Sequence, residues 1–156
     1  TGTSNLHDWT MKSTNAASDA EFIFTSNQLT DVKGLDFSMQ VKSLKSKEDL
    51  MDTRAYKALK ADESNNITFR LTNAIVTPSQ KNHYNVKATG KLTLSGVTRD
   101  ITLTADCTVD PDQTITITGS RKIKMSDFNI KAPSFMMGAL KVGDEVNVGF
   151  NMKYKN

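Results

Sequence analysis

The chain has 156 residues, of which 37% are hydrophobic and 24% charged, so a single domain spanning residues 1–156 can bury its own core. The net charge of +3 comes from 20 basic and 17 acidic residues that are scattered along the chain, and only 7% of the residues are aromatic. These features disfavour nucleic-acid binding, which needs a concentrated basic stripe with stacking rings. The single Cys107 excludes an internal disulfide and a multi-cysteine metal site.

Alternation of apolar and polar residues with a period of two is the dominant pattern, and it predicts half-buried β-strands. It is clearest over residues 86–95 and 101–109, where two alternating runs around a predicted turn at 96–99 form a hairpin. Runs at 35–42, 67–72 and 145–154 alternate in the same way. The shared phase predicts an interior face that includes Phe37, Met39, Ile67, Phe69, Leu92, Leu94, Ile101, Leu103, Val148 and Phe150.

Shorter strands and the turns between them complete the prediction. The strand candidates are 6–12, 21–26, 114–119 and 121–125. Residue types typical of turns occur at 32–34, 80–83, 111–112 and 143–144.

One segment departs from this pattern and predicts a single helix over residues 47–61. Ser46 followed by Asp49 resembles a capping box, and Met51, Ala55, Ala58 and Leu59 share one helical face. Many strands and one short helix indicate an all-β protein, either a closed antiparallel barrel of about eight strands or a sandwich. Periodicity does not separate a barrel packed with side chains from one that holds a ligand.

A series of short motifs resembles the YceI-like family over nearly the whole chain. They comprise Leu6-His7-Asp8-Trp9, residues 41–46, Met51-Asp52, residues 56–61, Ile67-Thr68-Phe69, residues 90–99, residues 125–128 and residues 141–146. The form of the first motif is similar to that of Bacteroidetes-type members. The resemblance implies an elongated, lipocalin-like antiparallel barrel. Characterised relatives are exported, and some hold a polyisoprenoid chain or an isoprenoid quinone inside the barrel.

The resemblance therefore predicts a periplasmic or otherwise exported protein, with its leader removed, that binds a long apolar lipid for transport, storage or protection. No cofactor, metal or nucleic acid is expected; transient membrane contact is compatible with this function, and the oligomeric state is left open. The predicted ligand-binding residues are Phe37, Met39, Met51, Ala55, Leu59, Ile67, Phe69, Ala88, Leu92, Leu94, Ile101, Leu103, Ala105, Phe135, Met136, Met137, Leu140, Val148 and Phe150. Two alternatives remain open: a structural or interaction barrel with a filled core, and an enzyme acting on a barrel-bound lipid.

Candidate catalytic residues are few, and no catalytic residue is predicted. His7 and Asp8 are neighbours in a predicted strand and would point to opposite faces, while His83 lies in a polar turn. Cys107 lies in the apolar phase, as a small buried hydrophobic residue would, and has no base near it in sequence. Asp127 and Asp144 adjoin predicted turns and are expected to bond their own backbone.

Two further segments carry open alternatives. The basic residues near the helix (Lys45, Lys47, Arg54, Lys57 and Lys60) form either a solvated helix end that suits the helix dipole or a cationic patch for a lipid headgroup. Residues 132–142 are too apolar for an ordinary loop, while Pro133 and Gly138 disfavour a regular strand. This segment, with the Met51 face of the helix, is predicted either to gate the barrel mouth or to plug it.

Overall fold

A computed structural model describes residues 1–135 and 140–155, apart from the side chains of Phe135 and Leu140. Within these residues, no helix is long and apolar enough to cross a membrane. The elements in chain order are β1 (Gly2–Ser4), β2 (Ala16–Thr25), β3 (Gln28–Gln40), α1 (Asp49–Ala58), β4 (Asn66–Gln80), β5 (His83–Leu94), β6 (Val97–Val109), β7 (Ile115–Lys124), β8 (Ser134–Phe135) and β9 (Leu140–Tyr154). Short 3₁₀ turns follow β3 (Val41–Ser43) and β7 (Met125–Phe128).

The strands form one antiparallel sheet in the order β1-β9-β7-β6-β5-β4-β3-β2, with the short β8 pairing the start of β9. At one end of this order β2 contacts β9 through side chains: Ser18 Oγ lies 2.6 Å from the Tyr154 hydroxyl. The Phe22 and Tyr154 rings pack edge to face with centroids 5.3 Å apart. The predicted fold class, an all-β antiparallel barrel with one short helix, is confirmed.

Two-residue turns connect several of the long strands. Ser26-Asn27 joins β2 to β3 and Ser95-Gly96 joins β5 to β6, and all four residues have positive φ, as type I′ hairpin turns require. The turn predicted at 96–99 is therefore wrong in position, because β6 already begins at Val97. The turns predicted at 80–83 and 111–112 are confirmed.

Four other local predictions are wrong. Residues 114–119 and 121–125, predicted as two strands, form the single strand β7 (Ile115–Lys124). Residues 32–34 lie inside β3, where shifts in the β2–β3 register accommodate them. Residues 143–144 lie inside β9. Residues 6–12 form a loop rather than a strand, with isolated bridges from Trp9 to Gly2 and from Lys12 to Lys45. In the three strands long-range pairing decided the conformation against a weak local preference, whereas residues 6–12 join no ladder and form only isolated bridges.

The buried side chains form two clusters. The first, near the Ser26-Asn27 turn, consists of Leu29, Tyr84, Val86, Ala105, Cys107, Ile115 and Ile117. The second, near the Ser95-Gly96 turn, consists of Leu94, Ile123, Met125, Phe128 and Ile130. Tyr84 suits the first cluster because its hydroxyl accepts a hydrogen bond from the Leu29 amide at 3.2 Å, which satisfies a buried polar group.

The predicted interior face is confirmed with one correction. Nine of its ten residues are buried or half-buried, whereas Val148 is 44% exposed. Val148 pairs with Arg121 of β7 and lies in the same phase as the half-buried Val146 and Phe150. The strand phase was therefore right, although Val148 itself is not covered.

The helix is shorter than predicted and begins differently. It spans Asp49–Ala58 instead of 47–61, and its N-cap, Glu48, makes no side-chain capping bond. In place of the predicted capping box, the Ser46 amide donates to Asp52 Oδ1 at 2.7 Å. Hydrogen bonds from Ser46 lower the pKa of Asp52 and so favour its charged form. Leu59, just after the helix, packs against the second cluster, so the C-terminal end of α1 lies beside that end of the barrel.

Candidate ligand-binding site

The predicted ligand-binding residues spread over both clusters and the zone between them. The first cluster includes or contacts Ala88, Ala105 and Phe150, and the second includes or contacts Leu59, Ile67, Leu92 and Leu94. Five others, which belong to neither cluster, are Phe37, Met39, Phe69, Ile101 and Leu103. All of these five except Phe69 are only half-buried, although their strand phase directs them inward. An apolar zone that is incompletely covered therefore lies between the two buried clusters.

The remaining predicted site residues belong to the helix, to β9 or to the segment before β9. Met51 and Ala55 are half-buried on α1, whereas Val148 is exposed. Met136 and Met137 lie outside the described residues, as do the side chains of Phe135 and Leu140. Ala132 and Val142, which flank this segment, pack against the second cluster. Whether the segment gates or plugs the barrel stays a prediction.

Glycines on the interior face do not leave the open space that their size suggests. A Cβ placed on Gly90 would lie 2.5 Å from Phe69 Cζ, so the Phe69 ring occupies the room that Gly90 provides. The Phe150 ring likewise occupies the space beside Gly119, since its Cζ would lie 2.7 Å from a Cβ placed on that glycine. Gly90 therefore adds no cavity volume, because a side chain of the neighbouring strand fills the space beside it.

An opening in the wall lies between β6 and β7. These strands pair over five residue pairs, from Ala105↔Gly119 to Val109↔Ile115. Beyond Gly119 the two strands diverge, so residues 97–104 of β6 and 120–124 of β7 have no ladder with each other. A cleft of about 610 Å³ lies along this divergence. It is lined by Arg99, Asp100, Ile101, Arg121, Lys122, Ile123, Lys124, Asp127, Phe128 and Glu145.

Two arginines in this cleft lie in the interior phase of their strands. Arg99 pairs with Leu92 and alternates with Ile101, and Arg121 alternates with the buried Ile123. Sequence analysis missed both: it placed Arg99 in a turn and gave Arg121 no role. The sequence did contain a signal for both residues. Each arginine occupies an interior-facing position of its strand, where apolar residues are the rule and a charged residue is the exception.

The charges of the cleft are only partly paired. Lys91 binds Asp100 at 2.8 Å, and Lys122 lies 3.8 Å from Glu145. Arg99 Nε donates to the Asp127 carbonyl oxygen at 2.8 Å, which ties β6 to the 3₁₀ turn after β7. Among the described residues, Arg121 and Lys124 make no side-chain hydrogen bond or ion pair. The cleft therefore joins an apolar floor of Ile101, Ile123 and Phe128 to a cationic rim.

Of the residues considered for catalysis, His7, His83 and Cys107 do not line this cleft. Burial raises the pKa of Cys107 to about 11, so its thiol is neutral at ordinary pH and a poor nucleophile. His83 is exposed at the start of β5. His7 is also exposed, and its Nδ1 atom lies 2.8 Å from the carbonyl oxygen of Asp8. No group of three or more His, Cys, Asp or Glu residues in the described part of the chain could hold a metal ion.

Asp144 has a different partner from the one predicted. It accepts hydrogen bonds from the Ser126 amide at 2.8 Å and from the Ser126 hydroxyl at 2.5 Å, and so connects β9 to the 3₁₀ turn. These bonds lower the pKa of Asp144. The expectation that Asp144 bonds its own backbone is wrong, because residue 144 lies within a long strand and not at a turn.

The model of the YceI-like domain matches residues 3–154 of the chain. The chain belongs to the YceI-like family. This match covers nearly every described element and confirms the resemblance drawn from the short motifs. No curated protein matches the chain in sequence.

Solved structures of low sequence identity share the fold. The YCEI protein of Campylobacter jejuni superposes with a TM-score of 0.73 at 20% identity, covering 96% of this chain and 85% of that one. BcnA of Burkholderia cenocepacia has a TM-score of 0.71 at 20% identity, covering 90% and 84% of the two chains. A polyisoprenoid binding domain from Saccharophagus degradans, implicated in plant cell wall breakdown, has a TM-score of 0.62 at 14% identity, covering 90% and 91%.

Proposed function

We propose that this protein is an exported carrier that holds a long hydrophobic ligand, of polyisoprenoid or isoprenoid-quinone type, inside its barrel. The observation that carries the proposal is the apolar zone between the two buried clusters, where Phe37, Ile101 and Leu103 face inward yet stay half-exposed. Membership of the YceI-like family and the fold shared with a polyisoprenoid binding domain support it.

The driving force for such binding is burial of the ligand. Each CH₂-sized group transferred from water contributes about 0.8 kcal/mol, so a long isoprenoid chain provides enough free energy to offset its own ordering. A soluble barrel would keep that chain out of water during transport, storage or protection.

A second candidate is a structural or interaction barrel with a filled core. The contacts of Phe69 with Gly90 and of Phe150 with Gly119 favour it, because both aromatic rings occupy interior space. An enzyme acting on a bound lipid has less support, since the pKa of Cys107 is raised and Asp144 is held by Ser126. Turnover of a lipid that His7→Ala or Cys107→Ser abolished, with folding and binding intact, would establish the enzyme.

Native mass spectrometry of protein purified from its own host, before and after organic extraction, tests the proposal. We expect a bound species whose mass disappears on extraction and whose extract contains an elongated apolar lipid. A protein that carries no lipid, and that takes up none when a polyprenol is added, would favour the filled barrel. Osmotic-shock fractionation of the host tests export, with recovery in the periplasmic fraction as the expected result.

A further inference from the structure

The opening between β6 and β7 has an unusual combination of features. The ladder ends at Ala105↔Gly119, the cleft beyond it reaches the interior-phase residues Ile101 and Ile123, and two arginines lie in that same phase. A charged side chain on the interior face of a continuous wall would be desolvated at high cost. Here Arg99 and Arg121 remain exposed because the wall is open.

We infer that this cleft is a side opening at which the phosphate group of the bound lipid is held, with Arg99 and Arg121 as its anion-binding residues. The inference rests on the proposed function and deepens it by assigning the polar end of the ligand. The tail would lie in the apolar zone, entered past Ile101 and Leu103, while the headgroup would stay in the cleft.

The charges favour a phosphate over a neutral headgroup. Asp100 and Glu145 already have cationic neighbours in Lys91 and Lys122. Three cations of the cleft lining, Arg99, Arg121 and Lys124, then remain against the carboxylate of Asp127, and the nearby Asp144 carboxylate interacts electrostatically with Lys124. Arginine suits this role because its planar guanidinium donates two parallel hydrogen bonds to phosphate oxygens.

The placement of the two arginines gives the site its geometry. They project from opposite sides of the divergence, on β6 and β7, so an anion between them would bridge strands that do not pair there. Arg99 is already positioned, since its Nε donates to the Asp127 carbonyl oxygen at 2.8 Å and its terminal nitrogens remain available. Arg121 makes no hydrogen bond or ion pair with the described residues.

The experiment compares three probes on the full, delipidated chain: a polyprenol, the polyprenyl monophosphate of equal chain length, and inorganic phosphate. Isothermal titration is performed on the wild type and on the double variant Arg99→Ala, Arg121→Ala. Arg70→Ala is the matched control, because Arg70 is exposed on β4 and pairs with Asp36 at 3.1 Å away from the cleft.

We expect the wild type to bind the polyprenyl phosphate at least tenfold more tightly than the polyprenol, and this preference to shrink with added salt. The double variant should lose the preference while still binding the polyprenol, and Arg70→Ala should behave as the wild type. If the alanine variant does not fold, Arg99→Lys with Arg121→Lys keeps the charge, loses the bidentate geometry and should weaken the preference.

Equal affinity of the wild type for both lipids would overturn the headgroup site while leaving the lipid-binding function standing. An equal loss of affinity for both lipids in the double variant would also overturn the headgroup site, because the arginines would then only stabilise the structure of the barrel wall. Failure of both lipids to bind would overturn the proposed function itself. Binding of inorganic phosphate at the arginines in that case would identify a free-phosphate site and equally reject a lipid headgroup.

Discussion

Phe69 lies over Gly90 on the interior face of the barrel wall, with its Cζ 2.5 Å from the position that a Cβ on Gly90 would occupy. The same virtual Cβ would lie 2.5 Å from the backbone oxygen of Arg70, which cannot move without disturbing the β4–β5 ladder. Pairing an aromatic ring with a glycine on the next strand is a known means of covering the gap that glycine leaves in a sheet. The relationship makes Gly90 a packing requirement and not a source of cavity volume.

Gly90→Ala should therefore destabilise the protein by about 1–3 kcal/mol, the usual cost of overpacking a core. Urea denaturation followed by tryptophan fluorescence measures the change. Gly34→Ala is the matched control, because an added Cβ there meets nothing within 4 Å and should change stability little. Equal losses at both positions would show that the contact with Phe69 is not the cause.

Leu103→Lys should weaken uptake of a polyprenol tenfold or more, because an unpaired ammonium group in an apolar zone costs several kcal/mol. Leu103 pairs with Ala88 of β5 and is half-buried in the zone between the clusters. Ser120→Lys places the same side chain on an exposed position opposite Gly149 and should bind as the wild type does. Equal loading of both folded variants would argue against an interior site.

Cys107 should resist alkylation in the folded protein. With its pKa raised from 9.0 to about 11, its thiolate fraction at pH 8 is about a hundredfold lower than that of an unperturbed thiol. Iodoacetamide labelling followed by mass spectrometry should be slow in buffer and fast in denaturant. Rapid labelling of the native protein would contradict its burial.

The same raised pKa predicts a loss of stability at alkaline pH. Well below pH 9 the thiol is neutral in both the folded and the unfolded state and contributes no pH dependence. As pH rises from 9 to about 11, the unfolded state gains thiolate that the folded state disfavours, so stability falls across that window. Urea midpoints of the wild type and of Cys107→Ala, measured from pH 8 to 11, should converge as pH rises. Parallel pH profiles would contradict the prediction.

Asp144→Ala should lower the urea midpoint and reduce the acid sensitivity of the protein. The Ser126 bonds depress the pKa of Asp144 in the folded state, so their contribution is present above the ordinary value of 3.8 and is lost as pH falls through the lower folded value. The wild type should thus lose more stability below pH 4 than the variant does. Asp31→Ala, at an exposed position of β3, is the control and should keep the wild-type acid profile.

The local sequence determined the central parts of the long strands, the faces of those strands and the family. Residues 86–95 and 101–109 alternate strictly, and the structure pairs them as a hairpin with Leu92, Leu94, Ile101 and Leu103 facing inward. The burial of Cys107 followed from the same phase. Alternation predicts these features because successive side chains of a strand must point to opposite faces.

Only the tertiary structure decided how those faces meet. The divergence of β6 and β7, the exposure of Val148, the bond between Asp144 and Ser126, and the placement of Phe69 over Gly90 all join residues distant in sequence. A strand's own pattern fixes which side chains point inward but not which neighbour they contact, since that depends on register and on where a ladder ends. Arg99 and Arg121 line one cleft because β6 and β7 diverge in the folded protein. The sequence shows the alternating pattern of each strand but not this divergence.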